Sequence, residues 1–181
     1  FTAYGVFVGM KACAHKKWGN DDLHGKKVVV QGVGHVGQYL VGHLTEAGAK
    51  VYISDINKDR IKETGDKFKV EFVEPKDMFS IDMDIYAPCA LGATVNSETI
   101  PLMKCAIIAG AANNQLAEEK IHGRELIQKG ILYAPDFLIN AGGLVNVAAE
   151  ASGSYNREKV TKDVEKIYNR ILDIFTLSEK E

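Results

Sequence analysis

The chain has 181 residues, 46% hydrophobic and 25% charged, the balance of a folded globular protein rather than a disordered one. Its 22 basic and 24 acidic side chains leave a net charge of -2, which offers no basic footprint for nucleic acid or for an anionic membrane surface. No apolar run approaches the roughly 20 residues that span a bilayer, and Lys11, Lys16 and Lys17 stand where a signal peptide would be apolar, so a cytoplasmic protein with small-molecule or protein partners is expected.

Residues 2–17 place Ala3, Val6, Phe7, Met10, Cys13 and Ala14 on one helical stripe, with Lys11, His15 and Lys17 off it, and Trp18-Gly19-Asn20 ends the run. KKVVVQ (26–31) is a short β-branched run of the kind buried in a parallel sheet. GVGHVG (32–37) follows, after which Val36, Tyr39, Leu40, Val41 and Leu44 continue at helical spacing to Ala47-Gly48. KVYISD (50–55) predicts a second strand, NKDRIKETGDKF (57–68) a polar helix and VEFV (70–73) a third strand. MDIYAP (83–88), CAIIAG (105–110) and ILYAP (131–135) are three more apolar runs, each followed by a loop rich in Ala, Gly, Asn or Pro. Six strands separated by helices predict an α/β fold of Rossmann type, a doubly wound, mostly parallel sheet with flanking helices. From 156 to 181 a stripe of Val160, Val164, Ile167, Tyr168, Ile171, Ile174 and Phe175 predicts one long amphipathic helix at the end of the chain.

GVGHVG matches GxGxxG with a strand before it, a helix after it, and Asp55 at the end of the next strand. Gly32 suits the tight turn, Gly34 the approach of backbone to a pyrophosphate, and Gly37 the packing of helix on strand. Asp55 is placed to accept hydrogen bonds from ribose hydroxyls, and its charge opposes a 2′-phosphate, favouring NAD over NADP; the nearby Lys58 and Arg60 weaken that preference. The alternative is a plain glycine turn whose strand-end Asp caps the following helix. His35 is expected beside the phosphates or in solvent, without a proton-transfer role. His15, His24, His43 and His122 are expected to be solvated on helix surfaces or turns. Cys13, Cys89 and Cys105 are spaced for neither disulfides nor CxxC metal ligation, so reduced thiols and no metal site are expected.

Ligands of doubly wound sheets bind beyond the carboxyl ends of the strands, which points to APCALGA (87–93), GAANNQL (110–116) and INAGG (139–143) as the loops at the nicotinamide end. With TAYG (2–5) and YAPD (133–136), these loops resemble the Glu/Leu/Phe/Val amino-acid dehydrogenases over essentially the whole chain, and within them most closely the leucine dehydrogenases. The resemblance implies oxidative deamination of an L-amino acid, hydride passing from Cα to NAD and water releasing the 2-oxo acid and ammonia. It implies that Gly32, Val33, Gly34, His35, Val36, Gly37 and Gln38 hold the pyrophosphate and that Asp55 with Ile56 holds the adenosine ribose. Cys89 and Ala90 would line the cleft, and Ala111, Ala112 and Asn113 would approach the nicotinamide ribose and bound substrate. Thr2 and Asn140 would meet the carboxamide, each with a helix N-cap as its alternative. Leu144 and Val147 would line an aliphatic substrate pocket with Asn113, the alternative being ordinary core packing. Gly142 and Gly143 would keep bulk away from the ring.

The family's catalytic lysine and aspartate belong to an upstream domain, and no segment here resembles theirs; Lys104, Lys120 and Lys129 lack the glycine-rich context. No residue of this chain is therefore assigned to catalysis. The start at FTAYG, without methionine, predicts a piece of a longer protein. The expected organisation is one NAD-binding domain over 1–181, with a leading helix (1–25), a nucleotide-binding core (26–155) and a C-terminal helix (156–181), a catalytic domain upstream, and a homo-oligomer when full-length. The alternative is an NAD-binding regulatory module without activity.

Overall fold

In the computed structural model, which describes residues 1–180, six parallel strands form one sheet in the order β3-β2-β1-β4-β5-β6. The strands are β1 (Lys27–Gln31), β2 (Lys50–Ser54), β3 (Glu71–Phe72), β4 (Ile85–Pro88), β5 (Ile107–Ile108) and β6 (Leu132–Tyr133). All six fall on the runs that the sequence marks as strands. β1 pairs with β2 on one side (Val29 opposite Tyr52) and with β4 on the other (Val29 opposite Tyr86), so the direction of winding reverses between β1 and β4.

Alternate residues of each strand serve two apolar cores. Val28, Val30, Ile53, Ile85 and Ile107 pack with α1 (Thr2–Trp18) and α2 (His35–Glu46) on one face. Val29, Tyr86 and Ile108 pack on the other, with Met103, Leu126 and Ile131, beneath α4 (Glu119–Lys129). Burial on both faces is what makes β1 and β4 near-continuous apolar runs. α3 (Lys58–Phe68) joins β2 to β3 and is polar along most of its length; Asn57 caps it by accepting from the amides of Asp59 and Arg60.

Two helices depart from their sequence patterns. α1 is buried around most of its circumference, not along one stripe. Gly5, Val8, Gly9 and Ala12 form a second buried face because α5 (Asp136–Ile139), α6 (Gly142–Ala151) and α8 (Ile167–Ser178) close over it. Gly9 is needed there, since a Cβ would stand 2.7 Å from Ile139 Cγ1. The C-terminal stripe is divided into α7 (Arg157–Glu165) and α8, with a turn at Lys166. The break is slight, since Lys166 keeps right-handed helical dihedrals (φ -62, ψ -18), and Val160, Val164, Ile167, Ile171 and Phe175 stay on one face, all buried in the α1 core. Glu181, the last residue of the expected helix, lies outside the described residues.

Candidate functional site

The loops at the carboxyl ends of β1, β2, β4 and β5 converge where the winding reverses. Gly32 follows β1 at φ +96, a conformation that favours glycine, and its N–H donates to Ser54 O at 2.7 Å. A Cβ on Gly32 would stand 2.5 Å from the Ala90 Cβ, so the loops after β1 and β4 touch only because residue 32 has no side chain. Gly37 is stricter: its Cβ would lie 1.9 Å from Gly32 O, which pins the first turn of α2 against the loop. Gly34 is different. The space beside it is open, with Arg60 Nη1 the one neighbour, at 3.7 Å from the Cβ position. Gly34 also begins α2 with no side chain capping it, so the N–H groups of the first turn face this opening. A cradle with bare backbone donors, a helix N-terminus and a nearby guanidinium is chemically suited to an anion such as a pyrophosphate.

Asp55 is tied into the loop rather than capping α3. One carboxylate oxygen accepts from Val33 N at 2.8 Å and the other from Asn57 N at 2.8 Å, while Asn57 does the capping. The plain-cap alternative for Asp55 is thus displaced by its neighbour. Ile56 is 91% exposed, yet it lines a hollow of about 330 Å³ with Asp55, Ile61, Phe72 and Pro75, so its exposed side chain forms a wall rather than part of the core.

On the other side of the switch point, Cys89 N donates to Gln31 O at 2.7 Å and Ala112 N donates to Pro88 O at 2.9 Å, which ties the loop after β5 to β4. Burial pushes the Cys89 thiol up to about 12, so it stays protonated and serves as an apolar wall. Cys13 and Cys105 are buried and unpaired as well. Asn140 donates from Nδ2 to Asn113 Oδ1 at 2.7 Å and, more weakly, to Ala111 O at 3.4 Å. This fixes the Asn113 amide with its oxygen occupied and its N–H pair uncommitted.

The stretch from 136 to 151 departs from the sequence reading. DFLI is the short helix α5, which Asn140 ends, so Asn140 is not an N-cap; α6 has no side-chain cap. Gly142 and Gly143 lie in the first turn of α6, where a Cβ would meet Phe1 O at 2.3 Å and Thr2 Oγ1, respectively. The glycines make room for the start of α1, a role that the sequence did not announce. Leu144 and Val147 are 73% and 57% exposed, which removes core packing as their explanation. Thr2, the first residue of α1 rather than its cap, lines a cavity of about 460 Å³ with His35, Val36, Gly143 and Val147, so the start of α1, the glycine loop and α6 share one opening.

The histidines divide. His35 is exposed and edge-on to Tyr39. His43 is not solvated as expected but stacks on Phe7 and tilts against Tyr4, and burial lowers its pKa against the opposing effect of Glu46. His122 is buried: Nδ1 accepts from Glu118 N at 2.8 Å, so the neutral ring carries its proton on Nε2, which faces Ser97 Oγ at 3.2 Å. That tautomer makes His122 a fastening for α4 and deprives Ser97 of a base. Lys104 and Lys129 donate to the carbonyls of Ser80 and Ile100 beside the amino ends of β5 and β6, at the far edge of the sheet from the cleft. Among the described residues there is no cluster of His, Cys, Asp and Glu able to hold a metal ion, and no helix long and apolar enough to cross a membrane.

Sequence reasoning overlooked Gln115 and Asp136. Asp136 Oδ2 accepts from Gln115 N at 3.0 Å, and both residues stand in the quoted motifs. Their roles depend on one another across 21 residues, and no local pattern announces that.

A family model described as glutamate/leucine/phenylalanine/valine dehydrogenase matches residues 1–65 and 53–180. The leucine dehydrogenase of Thermoactinomyces intermedius is 52% identical over 180 residues, 99% of this chain and 49% of its own length. The L-tryptophan dehydrogenase of Nostoc punctiforme is 47% identical over 99% of this chain and 51% of its own. The crystal structure of that Nostoc enzyme superposes with a TM-score of 0.95, covering 99% of this chain and 53% of the crystallised one. The chain thus spans about half the length of the curated relatives it matches.

Proposed function

The chain belongs to the glutamate, leucine, phenylalanine and valine dehydrogenase family, and from that premise we propose that it is the NAD-binding part of an enzyme that deaminates a branched-chain, leucine-like L-amino acid to its 2-oxo acid and ammonia. The observation that carries the reading is the meeting of the glycine loop, Asp55 and the loop after β4 at the reversal between β1 and β4.

NAD, when bound, takes up the hydride that leaves the substrate's Cα. The residues of this chain bind and orient. The uncapped first turn of α2, from Gly34 through Gly37, offers N–H groups and the positive end of its dipole to the pyrophosphate, while Gln38 N donates to Gly34 O and closes the turn. Asp55 keeps a lone pair on each oxygen for the ribose hydroxyls while Val33 N and Asn57 N hold it in place, and its charge opposes a 2′-phosphate. Ile56 and Phe72 give the adenine an apolar wall; Ala90, packed against Gly32, and the protonated Cys89 line the cleft beside the glycine loop. Asn113, its oxygen held by Asn140, turns donors toward oxygens at the nicotinamide end, beside Ala111 and Ala112. Thr2 meets the carboxamide side, and the exposed Leu144 and Val147 receive the aliphatic side chain of the substrate.

The groups that move protons to and from the amino acid lie in the part of the protein that the relatives carry beyond the matched half. The chain alone binds NAD without turnover. Fluorescence titration with NADH and NADPH tests the first statement: NADH binds and NADPH binds more weakly, whereas a folded chain that binds neither refutes it. Leucine-dependent NADH formation tests the second, and turnover by the chain alone would refute the division of labour.

A further inference from the structure

We propose that Gln115 is a positioning residue that sets the shape of loop 110–114 at the nicotinamide end of the cleft without touching the cofactor. The proposal rests on the NAD reading above. Gln115 is wholly buried directly behind the two asparagines of the loop. Its Nε2 donates to Gly110 O and to Ala112 O, both at 2.9 Å. Residues 110–112 are Gly, Ala and Ala, with no side chain able to brace their own backbone, so these two bonds close the turn from beneath.

The rest of the loop is fastened through the same residue or against it. Gln115 N donates to Asp136 Oδ2 at 3.0 Å and Gln115 O accepts from Val95 N at 3.1 Å, so main chain and side chain are both held. On the opposite side Pro88 blocks retreat, since a Cβ on Gly110 would lie 2.2 Å from Pro88 O. Asn114 stands at φ 51, a left-handed conformation that non-glycine residues keep only where the surroundings impose it. Asn113 precedes it, exposed, with its oxygen held by Asn140 and its donor pair uncommitted; its aim follows from how 112 and 114 are held.

Gln115 Oε1 has no hydrogen-bond partner although it is buried. An apolar side chain of similar length would leave no such orphan, so the amide at this position is explained by what Nε2 holds and not by the packing of the side chain. Its effect on the reaction is indirect, through Ala111, Ala112 and Asn113.

The test compares NADH with ADP-ribose, which shares the adenosine and pyrophosphate and lacks the nicotinamide. In Gln115→Met the two bonds to the loop are lost while the volume is kept. NADH affinity should fall about 10-fold, the equivalent of one to two neutral hydrogen bonds, with ADP-ribose affinity unchanged within about twofold. The shift in fluorescence of the bound reduced nicotinamide should be lost as well. An equal fall for both ligands, or an unchanged NADH affinity, overturns the proposal. If Q115M does not fold, Asp136→Ala releases Gln115 N from the other side and should show the same selectivity with a smaller effect; equal effects on both ligands again overturn the proposal. A parent chain that binds neither ligand overturns the NAD reading, and the positioning role with it. A parent chain that binds the two equally overturns the positioning role alone.

Discussion

At Gly37 the atom that excludes a side chain is Gly32 O, five residues back in the same loop, 1.9 Å from where a Cβ would stand. At Gly142 it is Phe1 O, at 2.3 Å and on the approach to a different helix. The two glycine pairs, 32/37 and 142/143, both read in the sequence as parts of a cofactor cleft, and only at the first does the local chain itself supply the reason for the glycine. The pair at 142/143 lets α1 cross α6, with Gly5 at the same crossing, where a Cβ would stand 3.4 Å from Gly142 Cα. Proximity to the ligand end of the sheet is therefore not the same as purpose there.

Substitutions separate the two cases. Gly37→Ala sets backbone against backbone inside the loop and should be the most damaging, destabilising by about 3 kcal/mol and abolishing NADH binding, as read by denaturant unfolding and titration. Normal stability with normal binding would remove the basis of the contrast. Asp55→Ala removes the acceptor that locks Val33 N and should weaken NADH about 100-fold while leaving most of the fold intact. An unchanged affinity would sink the ribose assignment.

Gly142→Ala should cost about 2 kcal/mol in stability and leave NADH affinity nearly unaltered, because its clash is with α1. The reverse pattern, stable but unable to bind, would restore the reading of a glycine that clears space for the ring. Gly143→Ala meets a side chain, Thr2 Oγ1, which can rotate; in a double-mutant cycle with Thr2→Ala the coupling should be about 1 kcal/mol, measured by unfolding.

The smallest effect concerns the α1–α2 contact. The folded-state pKa of His43 lies below its ordinary 6.5, chiefly through burial between Tyr4 and Phe7. As pH falls below about 6.5 the unfolded chain takes up a proton that the folded chain resists, so stability decreases toward acid and is fully present above that value. His43→Phe should flatten this part of the pH–stability curve; an unaltered slope would assign the loss to other groups.

The strand runs and the glycine fingerprint were legible because each rests on a short-range regularity: alternation of burial along a strand, or a turn that admits no Cβ. The loops after β4, β5 and β6 could be placed at one end of the sheet by the parallel topology alone. What covers α1 could not be read, since the second face at Gly5, Val8, Gly9 and Ala12 is as short in side chains as a solvent-exposed or loosely packed one. His122 looked solvated for a similar reason. Its partners, the amide of Glu118 and the hydroxyl of Ser97, come from the helix start and from a loop 25 residues away. A cap was the alternative for Asn140 because Asn commonly is one before a helix, and the short α5 ahead of it displaced that role.

By itself the sequence determined the order of elements, the two-sided burial of β1 and β4, the glycine turn at 32–37 and the acidic residue that follows it. These depend on backbone geometry and on neighbours within one strand–helix–strand unit. The tertiary structure alone decided that Asp55 is bonded into the glycine loop, that Asn140 orients Asn113, that Gln115 braces the loop before it, and that Gly142 and Gly143 serve a helix crossing. Each of these depends on atoms that the chain brings together from distant positions, and a side chain's role there is set by which of its lone pairs, donors or empty spaces the partner has already filled.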